Sequence, residues 1–115
     1  MKRATVHTAH KVPDRPPIQV QAGQEVAVGE RDDEWPEFIF VTTTTGSGWV
    51  PTRHLTITGP GRAVVHTAYD TTELPAAVGD TLDVIVEDLQ SGWVWCRSRQ
   101  GDEGWVPVRA LDLEP

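Results

Sequence analysis

The sequence predicts an all-β protein made of two consecutive small β-barrels, and three observations support this fold class. The segment Val6–His10 recurs as Val65–Tyr69, and Gly48–Pro51 recurs as Gly104–Pro107, at offsets of 59 and 56 residues. Ten Gly and nine Pro are scattered along the 115 residues, and no long stretch keeps apolar residues at helical spacing. Short β-prone runs lie between these turn residues. A repeat of this length indicates two copies of one small domain.

The strands of each copy are predicted from runs of β-branched and aromatic residues. Copy one contains Val26–Val28 and Phe38–Val41, and copy two contains Leu82–Val86 and Trp93–Arg97. Turn residues bound each run, as they do in small barrels and sandwiches. In the last of these runs, strict alternation places Trp93 and Trp95 on one face, with Val94 and Cys96 on the other.

Glycine and proline positions predict the turns that join these strands. Gly23 and Gly79 occupy equivalent positions in tight turns that require a positive φ. Pro51 and Pro107 each follow a strand, cannot continue its hydrogen-bond ladder, and are expected to begin a 3₁₀ turn.

Aligning the two copies defines the expected domains. Phe38 pairs with Trp93, because pairing Trp35 with Trp93 would leave two extra residues before Gly48. The predicted domains are residues 1–58 and 62–115, joined by the linker Thr58–Arg62 with its Gly-Pro-Gly sequence. A linker this short predicts a fairly fixed arrangement of the two copies.

The charge distribution and the cysteine count narrow the function classes. The formal net charge is −7, with −1 in residues 1–58 and −6 in residues 59–115. An acidic second half without a basic stripe argues against nucleic acid and favours basic ligands. The single cysteine, Cys96, excludes an internal disulfide and is expected to be an inert core thiol. There is no apolar run of membrane-spanning length and no signal-peptide core, so we expect a cytoplasmic protein without membrane attachment.

The sequence offers little support for catalysis. The four His are scattered without metal-ligand spacing, and His7 and His66 are equivalent by repeat, so duplication explains them better than a shared metal does. Cys96 has no base beside it, and no glycine-rich phosphate loop precedes a helix. We therefore expect no enzyme activity, no cofactor and no bound metal.

The ordered motifs of both copies resemble Src homology 3 (SH3) domains, in particular their bacterial variant branch. In copy two the matching motifs are Ala68–Asp70, Leu74, Gly79–Asp80, Trp93–Trp95, Gly104–Pro107 and Leu111. In copy one the fainter matches are His10, Ile18, Gly23–Gln24, Phe38, Gly48–Pro51 and Leu55.

The resemblance implies a groove of aromatic residues that holds extended, proline-rich peptides. In copy two the implied groove residues are Tyr69, Trp93, Trp105 and Pro107, with Asp70 and Glu73 as acidic groups for a ligand Arg or Lys. In copy one they are His10, Phe38, Trp49, Pro51 and His54. Two tyrosines of the family pattern fall at Thr71 and Ala110, which flattens the groove of copy two.

Several of these residues have a structural alternative. Tyr69 and Trp93 would serve equally well in core or interface packing, and the carboxylates of Asp70 and Glu73 are more typical of solvated turns than of a ligand site. Trp35, in a polar loop, is expected to dock against the other copy or to be offered to a partner.

These observations together predict a non-catalytic interaction module or scaffold. Its expected partner is a protein or a proline-containing or basic peptide, contacted through aromatic surface residues. A cell-wall or glycan-binding module and a regulatory subunit of an enzyme are the alternatives.

Overall fold

The computed structural model describes residues 2–114, and in this part of the chain it contains twelve β-strands and two 3₁₀ turns. No helix among the described residues is long and apolar enough to cross a membrane. The strands are β1 (Lys2–Val6), β2 (Gln19–Val20), β3 (Glu25–Arg31), β4 (Phe38–Thr42), β5 (Ser47–Pro51), β6 (Leu55–Gly59), β7 (Arg62–Val65), β8 (Tyr69–Asp70), β9 (Thr81–Asp88), β10 (Trp93–Arg97), β11 (Glu103–Pro107) and β12 (Leu111–Leu113). The 3₁₀ turns are Thr52–His54 and Val108–Ala110.

The chain divides into two compact units, each built on a five-stranded antiparallel sheet. Unit 2 is the continuous segment Arg15–Thr71, and unit 1 combines the described residues up to Asp14 with those from Thr72 onward. The strand order is β11-β10-β9-β1-β12 in unit 1 and β5-β4-β3-β7-β6 in unit 2, which also contains the two-stranded sheet of β2 and β8. The all-β class predicted from sequence is confirmed.

The two sequence repeats exchange their first strands. Strand β1, from copy one, pairs with β9 and β12 of copy two. Strand β7, from copy two, pairs with β3 and β6 of copy one. The compact units therefore differ from the contiguous ranges 1–58 and 62–115, because each unit is completed by the first strand of the other repeat.

The short connection between the repeats explains this exchange. Strand β6 ends at Gly59 and β7 begins at Arg62, and these two residues pair across the strands. Only Pro60 and Gly61 lie between them, and Gly61 has φ +69°, as a Pro-Gly turn requires. Two residues can join antiparallel neighbours but cannot lead the chain to another sheet. The Gly-Pro-Gly segment is thus a hairpin turn inside unit 2, and the chain passes between the units at Asp14/Arg15 and Thr71/Thr72.

The exchange is compatible with packing because the two first strands present the same core residues. Ala4 and Val6 are 0% and 1% exposed in unit 1, and Ala63 and Val65 are 1% and 0% exposed in unit 2. Either strand therefore fills either core with the same side chains, and the hairpin turn decides which one does.

The remaining packing follows the predicted strand pattern. Val94 and Cys96 are fully buried in the core of unit 1, while Trp93 and Trp95 lie half-buried on the opposite face. Gly23 and Gly79 adopt φ of 90° and 93°, as the turn prediction requires. Pro51 and Pro107 each precede a 3₁₀ turn, as predicted. Phe38 pairs with Pro51 just as Trp93 pairs with Pro107, which confirms the predicted alignment of the copies.

The exchange also redistributes the charge. Unit 1 contains six Lys or Arg and ten Asp or Glu, and unit 2 contains four and seven. The net charges are −4 and −3. The strong asymmetry between the sequence halves is therefore almost absent between the folded units, and the expectation that one half preferentially attracts basic ligands loses its basis.

Candidate functional site

A polar and aromatic cluster in unit 1 contains His10, Glu73 and Trp93. His10 Nε2 lies 2.9 Å from Glu73 Oε1, and the carboxylate accepts this hydrogen bond. The rings of His10 and Trp93 meet edge to face, with centroids 5.4 Å apart. All three residues are half-buried, so the cluster is partly open to solvent. We call it the unit 1 site.

Backbone pairing between the loop segments positions this site. His10 N donates to Ala76 O at 2.9 Å, and Ala76 N donates to His10 O at 3.1 Å. Glu73 forms a parallel bridge to Trp105 in β11, the edge strand of the sheet. Trp93 is the first residue of β10. Residues from both sequence repeats are therefore held together by main-chain hydrogen bonds.

A second aromatic pair lies on the outer face of the same sheet. Trp95 and Trp105 face each other across β10 and β11, with ring centroids 5.3 Å apart. Trp95 Nε1 donates to Glu103 Oε1 at 2.7 Å, and Arg97 Nε donates to Glu103 Oε2 at 2.9 Å. The Trp95 hydrogen bond, followed by that from Arg97, lowers the pKa of the Glu103 carboxyl below its ordinary value. This arrangement keeps a carboxylate beside two indole rings.

The corresponding site of unit 2 has different chemistry. Tyr69 occupies the position of His10, and its ring meets His54 edge to face at 5.2 Å between centroids. Tyr69 and Phe38 are 9% and 6% exposed, so both belong largely to the core. The unit 2 site therefore presents less aromatic surface to solvent than the unit 1 site does.

An aromatic pair also lies on the outer face of the unit 2 sheet. Phe40 and Trp49 face each other across β4 and β5, with centroids 5.0 Å apart. The guanidinium carbon of Arg15 lies 5.4 Å from the centroid of the Phe40 ring, within the range of a cation–π contact. Asp70 accepts a hydrogen bond from Gln19 Nε2 at 3.1 Å.

The structure groups the predicted groove residues differently from the grouping predicted from sequence. The groove of copy two was expected to combine Tyr69 with Trp93, and that of copy one His10 with Phe38. The exchange of first strands instead places His10 beside Trp93 in unit 1 and Tyr69 with His54 in unit 2. Each candidate site is thus a composite of both repeats.

The other predicted site residues are less accessible or lie elsewhere. Pro51 and Pro107 are buried where strands β5 and β11 end. Trp35 is half-buried in unit 2, where its carbonyl accepts a hydrogen bond from Phe38 N at 2.9 Å. Its docking against the other copy stays a prediction. Cys96 is fully buried, as predicted for a core thiol, and burial raises the pKa of its thiol to about 12.

Residues 2–114 contain no group of three or more His, Cys, Asp or Glu side chains that would hold a metal ion. His7 and His66, the equivalent pair, each make a hydrogen bond to the hydroxyl of the following threonine, at 2.8 and 2.7 Å. They lie in different units.

Sequence reasoning missed Trp95, Glu103, Phe40 and Arg15 as contributors to the two outer faces. Pairing the predicted strands through the aligned proline residues would have found Trp95 opposite Trp105 and Phe40 opposite Trp49. Arg15 gives no comparable signal, because it lies in an irregular proline-rich segment.

Comparison with known proteins identifies the family. A model of the variant SH3 domain family matches residues 4–57 and 65–113. No curated protein matches the chain at a significant level. The two matches cover most of the sequence, in agreement with two all-β units. SH3-type domains are generally non-catalytic modules that bind proteins or peptides, and this chain belongs to the variant SH3 domain family, with two such domains in tandem.

Proposed function

We propose that this two-domain interaction protein binds an extended, proline-containing peptide with a basic residue, and that the unit 1 site holds that residue. The juxtaposition of a carboxylate and an aromatic wall supports this proposal most strongly. Glu73 is hydrogen-bonded to His10, and His10 in turn packs against Trp93. A ligand Arg or Lys placed here would gain a charge-assisted hydrogen bond and a contact with a ring face.

Burial supports the choice of unit 1 over unit 2. The Glu73 side chain is 22% exposed and that of His10 is 13% exposed, so a bound cation would interact in a partly desolvated setting. In unit 2, by contrast, the position equivalent to Glu73 is Pro17. Phe38, the aromatic residue at the start of β4, is buried. Unit 2 therefore lacks the acidic group at this position.

A peptide titration tests the proposal. The full chain, labelled with ¹⁵N, is titrated with a proline-rich peptide that contains one Arg and with the same peptide carrying Ala in its place. We expect shifts at Trp93, Trp105 and Glu73 with the Arg peptide, and binding about tenfold weaker in Glu73→Gln, which corresponds to ~1.4 kcal/mol.

Asp112→Asn is the matched control, because Asp112 is an exposed carboxylate of the same unit on β12. It should leave the affinity within about twofold, as expected for a solvated charge. Equal losses in both variants would show that only the net charge matters. An absence of shifts in unit 1 would refute peptide binding at this site and would favour the cell-wall or regulatory-subunit alternatives.

A further inference from the structure

Within residues 2–114, the edge strand β5 of unit 2 contains backbone hydrogen-bonding groups that make no hydrogen bond, whereas the equivalent groups of unit 1 are paired within the unit. Thr43 N donates to Gly46 O at 2.7 Å, and Thr52 N donates to Glu37 O at 2.8 Å, so both are hydrogen-bonded pairs of the β4–β5 ladder. Such pairs alternate with non-hydrogen-bonded ones. Trp49 lies opposite Phe40 at a non-hydrogen-bonded position. Its N–H and C=O therefore point away from β4, towards the open edge of the sheet.

In unit 1, the equivalent edge strand, β11, is paired with another segment of the chain. Trp105, the equivalent of Trp49, donates its N–H to Thr72 O at 2.9 Å, and its carbonyl accepts from Leu74 N at 3.1 Å. The segment Thr72–Leu74 thus runs parallel to β11 as a short extra strand. A methyl group at Gly104 would lie 2.7 Å from the Glu73 and Leu74 backbone, which shows how closely the segment is packed.

The corresponding segment of unit 2 does not make these bonds. The groups equivalent to Thr72 O and Leu74 N are Pro16 O and Ile18 N, and Ile18 N donates instead to Thr71 Oγ1 at 2.8 Å. Ile18 O accepts from Thr71 N at 2.9 Å. Among residues 2–114, no hydrogen bond joins the outward N–H and C=O of Trp49 to another group. A methyl group at Gly48 would meet the side chains of Thr71 and Ile18 rather than a backbone, so a strand added here has to displace these two side chains.

We infer that the β5 edge binds an extended peptide by strand addition, in the way that Thr72–Leu74 covers β11. The carbonyl of the first peptide residue would accept from Trp49 N–H, and the N–H of the third would donate to Trp49 C=O. The third residue is therefore not proline, which separates this ligand from the proline-rich peptide proposed above.

The positive charge of Arg15 favours an acidic side chain at the middle position of this peptide. Arg15 lies over the ring of Phe40, the cross-strand neighbour of Trp49, and is the cation that we assign to the middle residue of the peptide. The internal segment of unit 1 carries Glu73 at its middle position. The partner is accordingly an acidic extended segment of the form Thr-Glu-Leu.

Amide hydrogen exchange in the full chain tests the free edge first. The Trp49 amide should exchange at least about tenfold faster than the Trp105 amide, because only the latter is hydrogen-bonded. Addition of a peptide copy of residues 70–77 should shift the Trp49 amide resonance and slow its exchange. Equal protection of Trp49 and Trp105 in the free protein, or no change at Trp49 with millimolar peptide, would overturn the inference.

Peptide and protein variants then test the geometry. N-methylation of the peptide leucine removes one hydrogen bond and should weaken binding about fivefold. Replacement of the peptide Glu by Gln should weaken binding to the natural chain but not to Arg15→Gln. Unchanged binding of the N-methylated peptide would refute strand addition.

Discussion

The sites of units 1 and 2 occupy equivalent places on the same framework but present different chemistry. In unit 1, His10 and Trp93 are half-buried beside the carboxylate of Glu73. In unit 2, Tyr69 and Phe38 take the equivalent places and are almost completely buried. The core positions are apolar in both units, although many of the residues differ, and the equivalent turn glycines have the same conformation. The site residues, in contrast, differ in both chemistry and burial, so the two units need not share a ligand.

Lengthening the turn between the repeats should have the largest effect. The two-residue turn keeps β7 beside β6, and a longer connection would allow β7 to pair within its own repeat. We expect that inserting about eight Gly and Ser residues between Gly59 and Pro60 will allow each repeat to keep its own first strand. Two-dimensional NMR should then show a second set of resonances, in which Ala4 contacts Val26 rather than Leu82. If Ala4 contacts only Leu82 at every insertion length, the short turn is not the cause of the exchange.

The equivalent glycines of β5 and β11 should differ strongly in their tolerance of a side chain. Gly104→Ala places a methyl group 2.7 Å from rigid backbone atoms, whereas Gly48→Ala places it 3.1 Å from the Thr71 side chain. We expect losses of about 3 kcal/mol in unit 1 and about 1 kcal/mol in unit 2, as overpacking of this kind costs. Hydrogen exchange resolved by unit measures both losses, and equal losses would contradict the difference in packing.

Single core truncations should reveal which unit each first strand stabilises. Val6→Ala and Val65→Ala each remove fully buried methyl groups and should cost about 2 kcal/mol. Exchange should accelerate in β9 and β12 for Val6→Ala, and in β3 and β6 for Val65→Ala. The opposite assignment would mean that the repeats are not exchanged in solution.

Acid should weaken unit 1 slightly through Glu103, a carboxyl with no equivalent in unit 2, where Ser47 takes its place. Because hydrogen bonds from Trp95 and Arg97 lower the folded-state pKa of Glu103, its contribution to stability is present above the ordinary value of 4.5. This contribution is lost as the pH falls through the lowered pKa. Urea unfolding at pH 7 and pH 3 should show a smaller pH dependence for Glu103→Gln than for the natural chain. An unchanged dependence would contradict the role of this carboxyl.

The sequence predicted four of the strands, the glycine turns and the two 3₁₀ turns well because these depend on local pattern. The positive φ of Gly23 and the alternation around Val94 follow from residue type and spacing alone. The exchange was not predicted, because Ala4 and Val6 match Ala63 and Val65 and hydrophobic periodicity cannot distinguish interchangeable strands. The two-residue turn was the only local signal for it.

The exchange of first strands also explains why the predicted site residues are grouped differently in the structure. The aromatic positions were recognised from the motif order, but the assignment of each to a groove assumed contiguous domains. That assumption separated His10 from Trp93, which the structure brings together. The burial of Phe38 was also missed, because its counterpart Trp93 is half-buried and alternation alone does not determine exposure.

The pairing of β1 with β12 has a consequence for biosynthesis. Leu113 must leave the ribosome before the sheet that contains Ala4 can be completed, whereas the segment Arg15–Thr71 is available much earlier. In the interval, β1 of the nascent chain has no partner strand of its own unit. Its Ala4 and Val6 match Ala63 and Val65 of β7, so β1 can pair with the strands of copy one in place of β7. Translation speed across the Pro60 turn should therefore decide how often β1 has to be displaced before the protein matures.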